Sequence, residues 1–173
     1  MTVARGLLRD DRASAAAEMA LILPAVAFIL LNVVDFSVYV YTHMQVDLAA
    51  QEAVGVARTA SYDSGCEAPV LSHANCSALE DQMEAAARST SLGANVSIGD
   101  TLEGRYCATS DGELEAVGDA AADCSGTVSD STAVPGYYIS TTATYNFTPV
   151  FPGASVASAL PGTITRTAFM RIQ

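Results

Sequence analysis

Two carboxylates, Glu18 and Asp35, bracket the most apolar stretch of the chain and raise the first question of chemistry. No charged residue occurs between them, so residues 19–34 form one uncharged and largely apolar run. On one helix the two would lie about 25 Å apart, near opposite edges of a bilayer. A carboxylate inside lipid is costly, so each must reach an interface or pair with another group. For Asp35, solvation at the membrane interface is enough to offset this cost. The position of Glu18 instead favours pairing with another group.

Four cysteines offer a second kind of chemistry, and all of them lie beyond the apolar run. If this part of the chain is exported, their even number predicts two disulfides. We prefer the sequential pairing because each bond then closes a local loop; four free thiols in a reducing compartment are the alternative. No C-x-x-C spacing supports a zinc site, so neither a metal nor a cofactor is expected. The expected pairs are Cys66–Cys76 and Cys107–Cys124.

Residue constellations typical of enzymes are absent from the sequence. The two histidines, His43 and His73, have no evident catalytic partner. No serine occurs in G-x-S-x-G, and no glycine-rich phosphate loop follows a strand. The acidic side chains between residues 111 and 123 could bind calcium, but their spacing does not match an EF-hand and solvation explains them better. We therefore expect no enzymatic activity.

Charge is distributed unevenly along the chain, whose formal net charge is -11. Residues 1–12 carry three arginines against two aspartates, whereas residues 47–133 carry fifteen acidic residues against three arginines. Phosphate binding needs many basic side chains, so nucleic acid is not an expected partner. A basic head before an apolar run predicts a cytoplasmic N-terminus and an acidic body on the other side of the membrane.

The apolar run is long enough to cross a membrane as one helix. Residues 19–41 would rise about 34 Å, which suits a hydrocarbon core of about 30 Å with some tilt. Tyr39 and Tyr41 at the far end are typical of an interfacial aromatic belt. Pro24 is tolerated in such helices and would kink this one or open its hydrogen-bond ladder. The run exceeds a usual signal-peptide core, and no A-x-A cleavage site follows it.

The helical pattern continues beyond the apolar run, so one helix is predicted from about residue 14 to residue 60. Its outer part carries small apolar residues at helical spacing, and Gly55 would permit close packing against another element. This stripe consists of Val46, Ala49, Ala50, Ala53, Ala57 and Ala60.

The rest of the chain combines a second helix with β-structure. The spacing of Leu79, Met83 and Ala86 predicts a helix over residues 78–90, capped by Ser77. A short strand is predicted over 94–99, and another near residue 103 leads into an acidic loop bounded by cysteines.

Two longer strands are predicted near the C-terminus, over residues 136–151 and 163–173, joined by a connection rich in Pro and Gly. Alternation in the first places five residues on one face: Ile139, Thr141, Ala143, Tyr145 and Phe147. The predicted fold class is α+β: a long N-terminal transmembrane helix that continues into an extracytoplasmic domain, with a small antiparallel β-sheet packed on its outer half.

The stretch "RASAAAEMALILPAVAFILLNVVDFSVYVYTHMQVDLAAQEAVGVAR" resembles the N-terminal region of TadE-like proteins, minor pseudopilins of the tight adherence (Tad/Flp) pilus system. The likeness rests on small residues before Glu18-Met19, an aliphatic run containing Pro24, the pair Asp35-Phe36, and an Ala-rich helix ending at Ala57-Arg58. Residues 137–173 also resemble the closing strands of the family.

The resemblance implies processing by a membrane prepilin peptidase before the apolar helix. Because the family places Glu fifth in the mature chain, the cut would fall between Ala13 and Ser14. The family usually has Gly at the last leader position, where this chain has Ala13. A carboxylate at Glu18 would then stabilise the new α-amine, or that of a neighbouring subunit, in a poorly solvating environment.

The resemblance therefore implies three regions: a basic leader (1–13), a transmembrane helix (14–42) and a periplasmic pilin-like domain (43–173). Implied partners are the prepilin peptidase, other minor pseudopilins, the major pilin and the Tad assembly platform. The implied location is the bacterial inner membrane in a single pass, or the pilus at the cell surface. A membrane-anchored adhesin or binding module is the alternative function, and an anchored periplasmic enzyme is a third hypothesis.

Overall fold

The computed structural model describes residues 11–63, 76, 78–118, 121, 123–129 and 131–172. Its α-helices are α1 (Asp11–Asp63) and α2 (Leu79–Arg88), and its strands are β1 (Val96–Ala108), β2 (Leu114–Val117), β3 (Gly136–Asn146) and β4 (Thr163–Arg171). Short 3-10 helices occupy Gly93–Asn95 and Val156–Ala159. The predicted α+β class is confirmed.

Helix α1 contains 53 residues and includes Pro24 without ending there. At about 1.5 Å per residue it is roughly 80 Å long. Its section Ala15–Ala60 is the one helical stretch in the described part of the chain that is long and apolar enough to cross a membrane, judged by length and composition. The single long helix expected from the sequence is confirmed, with slightly wider bounds.

The four strands form one antiparallel sheet in the order β2-β1-β3-β4. β1 is one strand of 13 residues, where two separate strands were predicted. Its pairing with β3 is irregular between Gly99 and Leu102, and Asp100 adopts a positive φ of 48° there. This bulge breaks the alternation of the sequence, which explains why the pattern suggested two elements.

β2 replaces part of the predicted acidic loop. Residues 114–117 pair with 105–108 of β1, and the connecting turn is closed by the Glu113 carbonyl, which accepts from the Thr109 N–H at 2.8 Å. Gly112 has φ of 84° in this turn, a conformation that glycine adopts readily. β2 lies at the edge of the sheet, and its acidic residue Glu115 is exposed to solvent. The charge of this side chain therefore does not oppose the pairing of β2 with β1.

The chain divides into two compact units. The helix–loop unit consists of the described residues up to Tyr41 and of Phe147–Gly162, which we call the 147–162 loop. The sheet unit consists of the described residues within Thr42–Asn146 and Thr163–Gln173.

The core of the sheet unit is built from small residues of α1 and the alternating face of β3. The predicted small-residue stripe of α1 is buried from Val46 to Ala57, and Ala60 is half-buried. A Cβ added at Gly55 would meet no atom within 4 Å. Ile139, Thr141 and Ala143 are fully buried.

Helix α2 buries Leu79, Met83 and Ala87 in the same unit. Ala86, which was predicted on this face, is only half-buried. The N-cap of α2 is Ala78, which makes no side-chain capping bond; Ser77 lies outside the described residues.

Candidate functional site

The 147–162 loop is bonded to the apolar part of α1 through the carboxylate of Asp35, which is 0% exposed. Its Oδ1 accepts from the backbone N–H of Val150 at 2.8 Å and of Phe151 at 3.4 Å, and Oδ2 lies 3.3 Å from the Phe151 nitrogen. The expectation of interfacial solvation is therefore wrong for Asp35, because backbone donors of the loop take the place of water.

Asn32 binds the same loop one helical turn earlier. Its Oδ1 accepts from the backbone N–H of Val156 at 2.8 Å and lies 3.4 Å from the Ser155 hydroxyl. Its Nδ2 donates to the Phe28 carbonyl at 2.7 Å, which fixes the amide orientation. Residues three apart share a helix face, so Asn32 and Asp35 form one polar strip. The role of Asn32 was not predicted, although an amide within an apolar run was the available signal.

Phe147 and Gly162 close the base of the loop. The Phe147 N–H donates to the Gly162 carbonyl at 2.7 Å. The buried Phe147 ring meets the Tyr39 ring edge-on, with centroids 5.0 Å apart. Phe147 was predicted on the buried face of β3, but that strand ends at Asn146 and Phe147 belongs to the helix–loop unit.

Glu18 is exposed near the start of α1. None of the residues that the structure describes makes a hydrogen bond or an ion pair with its carboxylate. Ala13 and Ser14, the expected cleavage pair, lie within the first turn of α1.

Glu18, Asn32 and Asp35 lie in one segment that matches a known protein family. Residues 13–54 match the sequence model of the TadE-like protein family. The match confirms the resemblance over the part of α1 that carries Glu18, Asn32 and Asp35. The C-terminal strands lie outside the matched residues. No curated protein and no solved structure matches the chain.

Beyond the TadE-like segment, a disulfide joins Cys107 at the end of β1 to Cys124. Both residues are buried, and the bond ties the segment after β2 to the sheet. Cys76 is also buried and disulfide-bonded, whereas Cys66, its predicted partner, lies outside the described residues. In the described part of the chain no group of three or more His, Cys, Asp or Glu residues could hold a metal ion.

His43 lies just after the helix–loop unit and contacts β4. Its Nδ1 is 2.7 Å from Nη2 of Arg166, and because a guanidinium only donates, the imidazole must accept as a neutral ring. Partial burial lowers the pKa of His43, and the neighbouring charge of Arg166 lowers it further. Both side chains line an open cavity of about 480 Å³ together with Asp47. This arrangement positions a helix against a strand; the second histidine, His73, lies outside the described residues.

Proposed function

We propose that this protein is a minor pseudopilin that contributes to assembly of the tight adherence pilus without catalysing a reaction. The observation that carries the proposal is the match of residues 13–54 to the TadE-like family, in a segment that forms a continuous helix with an exposed carboxylate near its start. In this proposal the protein crosses the bacterial inner membrane once, with a cytoplasmic N-terminus and a periplasmic sheet unit. The regions are a leader (1–13), a transmembrane helix (14–42) and a periplasmic domain (43–173).

Leader removal prepares the assembly contact. Cleavage by a prepilin peptidase between Ala13 and Ser14 would create a cationic α-amine about one helical turn from Glu18. In a poorly solvating membrane edge, that amine is stabilised by a carboxylate from its own chain or from a neighbour. Glu18 is exposed and makes no hydrogen bond or ion pair with the described part of its own chain, which suits a contact between subunits.

The outer surface of the helix–loop unit suits packing in a membrane and in an assembly. Large apolar side chains are exposed along α1 from Met19 to Val40. In the membrane these would face lipid, and during assembly they would pack against the helices of other minor pseudopilins, the major pilin or the platform.

The proposal is tested by Glu18→Ala, with Glu52→Ala as the matched control because Glu52 is an exposed acid on the same helix. We expect the Glu18→Ala protein to reach the membrane at normal levels but to reduce sheared surface pilin roughly tenfold, the effect of losing an assembly contact of about 1.4 kcal/mol. The control should keep normal piliation. Normal piliation in Glu18→Ala cells would contradict the assembly role and favour an anchored binding module.

A further inference from the structure

The 147–162 loop carries no charged residue, although Val150 and Val156 are 53% and 66% exposed. Single exposed apolar residues are common on surfaces that face water, but Val156 adjoins exposed apolar side chains of α1, and a contiguous exposed apolar patch marks a contact with a membrane or another molecule. The loop is attached to α1 within the apolar section that could cross a membrane.

The polar backbone groups of this loop are suited to a site with little water. Irregular backbone is tolerated beside lipid only when its polar groups have protein partners. Asp35 and Asn32 accept from the N–H groups of Val150, Phe151 and Val156. Three prolines in the loop have no N–H to satisfy: Pro149, Pro152 and Pro161.

The attachment point also lies at the right depth. Residues 15–34 rise about 30 Å as a helix, which equals the hydrocarbon thickness of a bilayer. Counted from Ala15, Asp35 falls at the outer edge of the hydrocarbon, and the remainder of the proposed transmembrane helix, up to residue 42, lies among the headgroups. The 147–162 loop, bonded at this level, would lie in the same interfacial layer.

A groove between loop and helix supplies a binding surface. It has a volume of about 400 Å³, and its walls include Phe28, Ile29, Val33 and Phe36 of α1 and Val156 of the loop. The apolar side chains of α1 that line the groove are themselves exposed, so a lipid chain that covers this face of α1 can extend into the groove. We propose that the 147–162 loop is a membrane-interface loop and that a phospholipid acyl chain occupies the groove between it and α1. This inference rests on the membrane anchoring within the proposed function.

The absence of tryptophan from the chain allows a direct test. The full-length protein is reconstituted in liposomes of phosphatidylethanolamine and phosphatidylglycerol, with or without brominated acyl chains, as four single-tryptophan variants. Val156→Trp reports on the loop and Phe28→Trp on the helix. Val134→Trp is the matched control, because Val134 is 70% exposed in the sheet unit. Val150→Trp serves as a second loop reporter.

We expect brominated chains to remove about half of the fluorescence of Val156→Trp, Val150→Trp and Phe28→Trp, and to leave Val134→Trp unchanged. The inference is overturned if Phe28→Trp is quenched while both loop variants behave like Val134→Trp. It is also overturned if Val156→Trp is shielded from brominated lipid and aqueous iodide alike, because a second protein then fills the groove. If Phe28→Trp itself escapes quenching, membrane anchoring fails and the lipid-bound loop fails with it.

Discussion

The Asp35 carboxylate accepts a 2.8 Å hydrogen bond from the backbone N–H of Val150, which lies 115 residues further along the chain. This contact joins an acid at the end of the apolar run of α1 to a loop near the C-terminus. It gives the acid a structural explanation that needs no proton transfer or metal. In the helix–loop unit, the two polar side chains Asn32 and Asp35 hold the loop by its backbone.

Removing the Asp35 carboxylate should release the loop. In Asp35→Ala, two backbone donors lose a charged acceptor, and we expect the loop attachment to weaken by about 3 kcal/mol. Hydrogen exchange at Val150 and Phe151 should accelerate by roughly a hundredfold in detergent-solubilised protein. Asp47→Ala is the control, because the bond of Asp47 within the described part of the chain is to Gln51 on its own helix. Unchanged protection of both loop amides in Asp35→Ala would contradict the role of this contact.

The stability of the sheet unit should fall on mild acidification because of His43. Burial, and then the charge of Arg166, lower the pKa of His43 below its usual 6.5, so the unfolded state binds the proton more readily. This contribution to the free energy of unfolding is complete above pH 6.5 and is lost as the pH falls through 6.5 toward the lower folded value. The measurement is urea unfolding followed by circular dichroism between pH 7.5 and pH 5.

The comparison that isolates His43 uses two variants. His43→Gln should flatten the pH dependence over this range, while His73→Gln, the change at the other histidine of the chain, should retain it. An identical slope in His43→Gln and the unsubstituted protein would assign the acid sensitivity to other groups.

Breaking the disulfide of the sheet unit should destabilise it. Cys107 and Cys124 are 17 residues apart, and a closed loop of this length contributes about 3 kcal/mol by restricting the unfolded chain. The double variant Cys107→Ser/Cys124→Ser should therefore unfold at a clearly lower temperature. Thermal unfolding without reductant measures the difference. Equal unfolding midpoints for the two proteins would show that the disulfide restricts the unfolded chain very little.

The small-residue stripe of α1 leaves no space for larger side chains. Ala53 is 0% exposed, so Ala53→Leu should destabilise the sheet unit by about 1–3 kcal/mol through overpacking. Gln51→Leu places the same side chain at an exposed position of the same helix and should change stability by no more than about 0.5 kcal/mol. Chemical denaturation distinguishes the two, and similar midpoints would indicate space beside Ala53.

Residue size at position 13 should control leader removal. A peptidase that requires a small residue there should cut Ala13→Gly at least as well as the unsubstituted chain, whereas Ala13→Phe should accumulate uncut. Intact-mass spectrometry of the membrane-extracted protein reads the result, and the cut form should begin at Ser14. Equal processing of Ala13→Phe would place the cleavage site elsewhere.

Local patterns were sufficient to predict most helices and strands. The spacing of Val46, Ala49 and Ala53 identified the buried face of α1, and the alternation around Ile139 and Thr141 identified the inner face of β3. Such patterns repeat with the geometry of one element, so they can be read without knowing its neighbours.

The features that sequence analysis missed depend on distant residues or on local irregularity. Nothing in the sequence around Asp35 indicates that its partners are Val150 and Phe151, so solvation was the simplest expectation. The bulge at Asp100 interrupts the alternation of β1, and the acidic composition of β2 conceals an edge strand. Each case requires knowledge of which segments become neighbours after folding.

The long separation between Asp35 and its loop has a consequence for biosynthesis. A ribosome adds about 5–20 residues per second, so Val150 emerges roughly 6–23 s after Asp35. Throughout that interval the new helix carries a carboxylate whose final hydrogen-bond donors have not yet been made. Another polar group must solvate Asp35 until the loop arrives, so the helix–loop unit is completed late in the synthesis of the protein.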